Sequence, residues 1–118
     1  MAKRADRDRK SAMFRIAIEQ FGSPAAETGR LEFGLESPTS LTVRELIQQT
    51  VAREIELRGL KVSAGKLAEH QREATRAFAR GTFAMLVAGE PMADLDHVLP
   101  ADDEREIVFI RVLPLVGG

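Results

Sequence analysis

The sequence predicts an α+β fold in which one mixed sheet packs a single face against one main helix. Two early segments alternate apolar and polar residues, the period-2 pattern of strands with one buried face. Apolar residues then recur at helical spacing between Val43 and Ile55. The strand pattern returns after Gly81 and ends in residues 106–113, the most apolar segment of the chain. This order of elements in 118 residues is typical of one α+β domain with one core.

The first two strands are predicted to pair as a hairpin. The first begins at Met13, and the second ends at Ser37, where Pro38 interrupts it. Between them, the segment from Gly22 to Gly29 is expected to form a loop rather than a tight turn. The alternating apolar positions are Phe14, Ile16 and Ile18 in the first strand and Leu31, Phe33 and Leu35 in the second.

Two helices are expected to follow. Thr42 stands three residues before Glu45, the spacing of a capping box, and Gly59 is placed to end the main helix. A second helix is predicted over residues 66–80, and residues 59–81 are therefore interpreted as a helical insertion before the third strand. The remaining segments are predicted as a strand (82–87), a turn (88–91), an irregular stretch (94–100) and an acidic turn (101–104).

The chain is divided into a charged arm (residues 1–12), a folded domain (13–113) and an extended tail (114–118). The arm interleaves basic and acidic residues without an apolar face. Two interpretations of it remain: a disordered or weakly helical segment, and a helix that docks on a partner.

Composition and charge exclude several classes of protein. The formal net charge of −1 gives no electrostatic reason to expect nucleic acid or an anionic membrane as a partner. The lack of cysteine excludes disulfides, thiolate nucleophiles and cysteine-ligated metals. No segment approaches the roughly 20 apolar residues that cross a bilayer, and residues 1–10 are too polar for a signal peptide. We therefore expect a cytoplasmic protein.

Catalytic patterns are missing from the sequence, so we expect neither an enzyme, nor a metal centre, nor a bound cofactor. The two histidines, His70 and His97, lie far apart in the chain and make a weak metal site. Asp96 and His97 could act together in acid–base chemistry. A single such pair in a loop is more typical of local hydrogen bonding.

The C-terminal residues Gly117 and Gly118 carry the strongest functional signal. Two glycines at given positions occur by chance about once in 200 at average glycine usage. The context strengthens the signal, because an apolar strand runs to Leu113 and the tail could extend roughly 17 Å beyond the sheet. Residues without Cβ can thread a narrow channel and leave the terminal carboxylate unhindered. The tail consists of Pro114, Leu115, Val116, Gly117 and Gly118.

The C-terminal half also contains short motifs in a particular order. They are Val87-Ala88-Gly89-Glu90-Pro91-Met92, Leu95-Asp96-His97, Leu99, Asp102-Asp103-Glu104 and Val116-Gly117-Gly118. Together with the strand-strand-helix opening of residues 13–55, they resemble the sulfur-carrier β-grasp family. That family includes the small subunit of molybdopterin synthase and the thiamine-biosynthesis sulfur carrier, and it is related to ubiquitin.

The resemblance implies a ubiquitin-like β-grasp fold and a role for Gly118. An adenylating enzyme of the ubiquitin-activating type would use ATP to charge this residue, and Asp96-His97 would belong to a structural turn. A carrier that only delivers sulfur needs neither the arm nor the insertion at 59–81. A modifier handled by several enzymes could use both as recognition surfaces, although the insertion could equally be padding.

Three functional hypotheses follow from the resemblance. The first is a protein modifier of a bacterial ubiquitin-like conjugation system, in which Gly118 passes through a thioester to a target amine. Its partners would be the adenylating enzyme, a conjugating enzyme, a deconjugating metalloprotease and the target protein. The second is a sulfur carrier with a thiocarboxylate at Gly118. The third is a non-covalent interaction module.

The last strand predicts a surface for partners. Val108, Ile110 and Val112 are expected to point into the core. The opposite phase would then form an outward apolar patch, which we interpret either as a docking site or as a surface covered by the arm or the inserted helix. The residues assigned to this patch are Ile107, Phe109, Arg111 and Leu113, beside Arg15.

Overall fold

The computed structural model describes residues 12–21, 29–100 and 104–112. The elements in these ranges are β1 (Ala12–Phe21), β2 (Gly29–Ser37), β3 (Leu41–Thr42), α1 (Val43–Leu57), α2 (Ala64–Arg80), β4 (Phe83–Val87), β5 (Glu90–Pro91), β6 (Val98–Leu99) and β7 (Glu104–Val112). The predicted arm, the loop after the first strand, the acidic turn and the tail lie wholly or largely outside the described residues. Those predictions are therefore untested.

A mixed five-stranded sheet forms the framework, in the order β2-β1-β7-β4-β5. β1 and β2 pair antiparallel, with Phe14 opposite Leu35, so the predicted hairpin is confirmed. β7 occupies the centre of the sheet, parallel to β1 and antiparallel to β4. β3 and β6 form a separate two-stranded pair. The α+β class and the mixed sheet are thus confirmed.

The start of α1 is closed by side chains and by a neighbouring loop. Thr42 and Glu45 form the predicted capping box: Thr42 Oγ1 accepts from the Glu45 N–H at 3.1 Å, and Glu45 Oε1 accepts from the Thr42 N–H at 2.9 Å. The two backbone N–H groups between those of Thr42 and Glu45 donate to carbonyls outside the helix. The Val43 N–H donates to the His97 carbonyl and the Arg44 N–H to the Leu95 carbonyl, each at 2.9 Å. The first donors of the helix therefore all have partners.

The second helix is confirmed and begins two residues earlier than predicted. The Ser63 hydroxyl caps it by accepting from the Lys66 N–H at 3.1 Å. Gly81 ends it with φ of 87°, a left-handed conformation that favours glycine. Neither this helix nor any other in the described ranges is long and apolar enough to cross a lipid bilayer.

The core lies between the two helices and one face of the sheet. β1 and β7 supply its centre, and α1 covers it with the apolar stripe predicted from the sequence. The buried apolar residues are Phe14, Ile16, Ile18, Leu41, Val43, Leu46, Ile47, Val51, Phe78, Phe83, Met85, Val87, Leu99, Ile107 and Phe109. The other face of the sheet carries no helix among the described residues.

Candidate functional site

The end of β7 is fixed by an ion pair to the main helix. The Arg111 guanidinium donates two hydrogen bonds to the Glu54 carboxylate, at 3.1 and 3.3 Å. Arg58 donates a third at 3.1 Å. Since the Glu54 side chain is only 9% exposed, these bonds are shielded more than those of a surface pair. Arg111 is followed by Val112, the last residue of β7.

Contacts with two aromatic rings also hold the end of β7. The Arg111 guanidinium carbon lies 5.3 Å from the centroid of the Phe83 ring, within cation–π range. Phe83 in turn stacks on Phe109, with centroids 5.0 Å apart. The end of β7 is thus held both by the main helix and by the neighbouring strand β4.

A cleft of about 480 Å³ opens beside this anchor, between α1, α2 and the start of β4. Its apolar walls come mainly from the helices, and its polar groups include Glu54, Arg111 and Thr82. Leu60, from the connection between the helices, is 55% exposed at its edge. The remaining lining residues are Val51, Ile55, Arg58, His70, Glu73, Ala74, Ala77 and Phe83.

Two carboxylates line the cleft, and both are ion-paired. Glu73 accepts hydrogen bonds from Arg76 and from Arg80, each at 3.2 Å. The hydrogen bond from Arg80, followed by the positive charges of Arg80 and Arg76, holds the pKa of Glu73 below its ordinary value. Glu54 likewise faces the two arginines described above. In the described ranges, each of these two carboxylates is thus bonded by two guanidinium groups.

The prediction that Ile107, Phe109 and Arg111 face outward from β7 is wrong. Ile107 and Phe109 are fully buried in the core, on the face covered by the helices. Arg111 lies on that same face, bonded to Glu54. Val108 and Ile110, predicted to point inward, are partly exposed and belong to the other face. Both faces of this strand are apolar, so the alternation could not fix which one packs against the helices.

Pairing with β1 decides the phase. Ile16 and Ile107 are partners in the parallel ladder, and both face the helices. Arg15 pairs with Glu106 on the opposite face and is exposed. Arg15 and Arg111 therefore lie on opposite sides of the sheet and cannot border one patch.

The open face has an apolar centre of its own. Ala17 is 4% exposed there, although Arg15 and Glu19, two positions away on the same strand, are charged. The partly exposed residues around it are Ala84, Leu86, Val108 and Ile110. Arg30, Glu19 and Glu32 form an ion-paired group on the β2 side of this face.

Asp96 and His97 have a structural role, as the resemblance implied. The Asp94 carboxylate accepts from the Asp96 N–H at 2.9 Å, and the Asp94 carbonyl accepts from the His97 N–H at 3.1 Å. This turn supplies the carbonyls that close the start of α1. Asp96 also forms an exposed ion pair with Arg44. Among the residues that the structure describes, no group of three His, Asp or Glu side chains is arranged to hold a metal ion.

The tail assigned from the sequence, residues 114–118, lies outside the described ranges, and so does Leu113 of the predicted patch. The structure instead adds Glu54, Arg58 and Phe83, which the sequence analysis did not select. Glu54 had a signal, because it lies seven residues after Ile47 and four after Thr50, on the apolar stripe of the helix. An acidic residue on such a stripe indicates a buried partner.

Comparison with models of known protein families gave no match, and comparison with curated proteins gave none.

Proposed function

We propose that this chain is a ubiquitin-like protein modifier with a β-grasp fold, and that Gly118 is the residue it attaches to target proteins. The observation that carries the proposal is the sequence Gly117-Gly118 a short distance after the strand at the centre of the sheet. The mixed sheet, opening hairpin and covering helix are compatible with a β-grasp.

The anchored end of β7 suits this role. The ion pair between Arg111 and Glu54 holds the end of β7 against α1. A pull on the residues that follow would therefore be resisted by this pair before it reached the core. Gly118 lies seven residues after Arg111 and can reach at most about 25 Å from it. An activating enzyme could therefore take up the end of the chain while it contacts the folded domain.

The proposed chemistry needs an activated carboxyl group. A Gly118 carboxylate oxygen attacks the α-phosphorus of ATP, which forms an acyl adenylate and releases pyrophosphate. A cysteine thiolate of the enzyme then attacks the carbonyl carbon, and AMP leaves. An amine of the target finally displaces the thiolate and forms an amide. The chain itself supplies the carboxylate and the recognition surface, whereas the enzyme supplies the nucleophile and the nucleotide site.

The test is co-expression of the full chain with its neighbouring genes, followed by a reducing gel and intact-mass spectrometry. We expect a ladder of larger species that survives thiol and disappears when Gly118 is deleted. Deletion of Ala2, a single-residue change at the other end, is the control and should leave the ladder intact.

Two other results would each overturn the modifier proposal. A single species, heavier by the replacement of one oxygen with sulfur and dependent on Gly118, would identify a sulfur carrier. Unchanged mass together with full biological activity of the Gly118 deletion would identify a non-covalent module.

A further inference from the structure

Two segments of the chain carry a net positive charge, the insertion and the N-terminal arm. Residues 59–81 contain five lysine and arginine residues and two glutamates, a net charge of +3. Residues 1–12 also contain five basic and two acidic residues, so the rest of the chain carries −7 in an overall charge of −1. Within the folded domain, the insertion is therefore the basic element. The basic residues are Lys61, Lys66, Arg72, Arg76 and Arg80, and the acidic ones are Glu69 and Glu73.

This basic element borders the cleft described above. We define the insertion surface as the apolar residues Leu60, Ala74 and Ala77 together with Arg58, Arg76 and Arg80. Ala74 and Ala77 line the cleft from α2, and Leu60 lines it from the connection. Arg76 and Arg80 do not line the cleft themselves, but both donate hydrogen bonds to Glu73, which does. The apolar walls thus lie beside a carboxylate that two guanidinium groups share.

We propose that the insertion surface binds an acidic amphipathic segment of the enzyme that activates Gly118. This rests on the proposed function. Apolar side chains of the segment would enter the cleft, and its carboxylates would pair with Arg58, Arg76 and Arg80. The 480 Å³ of the cleft is enough for a few apolar side chains.

The position of the cleft favours that enzyme over other proteins. Arg111 and Phe83 line it, so it lies beside the end of β7, seven residues before Gly118 in the sequence. An enzyme that holds Gly118 in its active site must sit within about 25 Å of Arg111. It would therefore cover this end of the domain.

The chemistry of the surface favours a protein over nucleic acid. Single-stranded nucleic acid is bound by exposed aromatic platforms. In the described ranges, Phe14, Phe78, Phe83 and Phe109 are buried in the core, and Phe33 is partly buried against it.

The experiment measures activation directly on the full chain. An adenylating enzyme is purified from the source cells as the activity that exchanges pyrophosphate into ATP only when this chain is added. KM and kcat are then determined for the chain as substrate. Deletion of Gly118 must abolish the exchange, which establishes that the assay reports on the proposed function.

Two matched pairs of variants test the surface. Arg76→Glu reverses a charge bonded to Glu73 of the cleft, and Arg44→Glu reverses an exposed, ion-paired charge at the far end of α1. Leu60→Ser removes an apolar group at the cleft, and Val98→Ser removes one of nearly equal exposure, 53%, away from it. Circular dichroism checks that all four variants remain folded.

We expect Arg76→Glu and Leu60→Ser each to raise KM about five- to tenfold at unchanged kcat, because they weaken docking but not chemistry. Their matched controls should stay within about twofold of the parent. Added salt should raise the KM of the parent more than that of Arg76→Glu.

Other outcomes would overturn the inference. Equal KM values for all four variants, with exchange still dependent on Gly118, would reject the docking surface and leave the proposed function standing. Absence of any Gly118-dependent exchange would reject both. Concentration-dependent sedimentation that Arg76→Glu abolishes would show that a second copy of the chain occupies the surface. A change in the NMR chemical shifts of the Ala74 and Ala77 amides on removal of residues 113–118 would show that the chain's own tail occupies the insertion surface.

Discussion

Glu54 and Arg111 join the main helix to the last strand through two parallel hydrogen bonds. They are 57 residues apart in the chain. Among the described residues, Glu54 is the only acidic residue that is buried. The pair lies at the mouth of the cleft, so its contribution to stability and its contribution to recognition can be separated by the choice of variant.

Glu54→Gln should lower the free energy of unfolding by about 2 kcal/mol. The neutral amide removes the negative charge that Arg111 and Arg58 share in a partly buried position, and the loss falls between that of exposed and fully buried pairs. Urea denaturation followed by circular dichroism measures it. The matched control is Glu56→Gln, where the exposed carboxylate is paired with Arg53, and it should cost less than about 0.5 kcal/mol. Equal losses for both variants would contradict the anchoring role of Glu54.

Because alternate residues of β7 face the core, substitutions at adjacent positions should lower the free energy of unfolding by different amounts. Phe109→Ala should lower the free energy of unfolding by about 3–5 kcal/mol, because a fully buried aromatic ring is lost from the core. Ile110→Ala, on the open face, should cost about 1–2 kcal/mol, because that side chain is already partly exposed. Urea denaturation of the two variants checks the order. A larger loss for Ile110→Ala would restore the phase predicted from the sequence.

Two glycines of the insertion should respond to alanine in opposite directions. Gly81→Ala places a Cβ on a residue with φ of 87° and should destabilise the protein by about 1 kcal/mol. Gly65 lies in the first turn of α2 without positive φ, and a Cβ there would meet only the Ser63 hydroxyl oxygen at 3.9 Å. Gly65→Ala should therefore stabilise by about 0.5–1 kcal/mol. Thermal denaturation would compare them, and a stabilising Gly81→Ala would contradict the left-handed cap.

Glu73 should titrate below the ordinary glutamate pKa of 4.5. A carboxyl group whose pKa is lowered by folding stabilises the protein above its unfolded pKa, and this contribution is lost as the pH falls through the folded value. Carbon-detected NMR titration gives the midpoint. Arg80→Gln should raise it towards 4.5, since Arg80 supplies the main hydrogen bond, whereas Lys66→Gln, whose partner is Glu69, should leave it unchanged. An unaltered midpoint in Arg80→Gln would refute this assignment.

Local signals predicted most of the elements. The capping box at Thr42, the helix-ending glycines and the alternation in β1 each depend on nearby residues, so they could be read directly. The face of β7 that packs on the helices was not predictable in this way. Ile107 to Ile110 are apolar without interruption, and only the long-range ladder with β1 distinguishes the two faces. Glu54 was predictable in principle from its place on the apolar stripe, but its partner, 57 residues away, was not.

The parallel pairing of β1 and β7 also has a mechanical consequence. A pull between Ala12 and Val112 acts at opposite ends of the two paired strands, along their length. The hydrogen bonds of the ladder then carry the load together in shear, instead of opening one after another like a zip. We expect high rupture forces when the chain is stretched from its two ends by an atomic force microscope. An attachment point at Gly29 in place of Ala12 lies at the same end of the sheet as Val112. The strands should then separate from that end one bond at a time, at much lower forces.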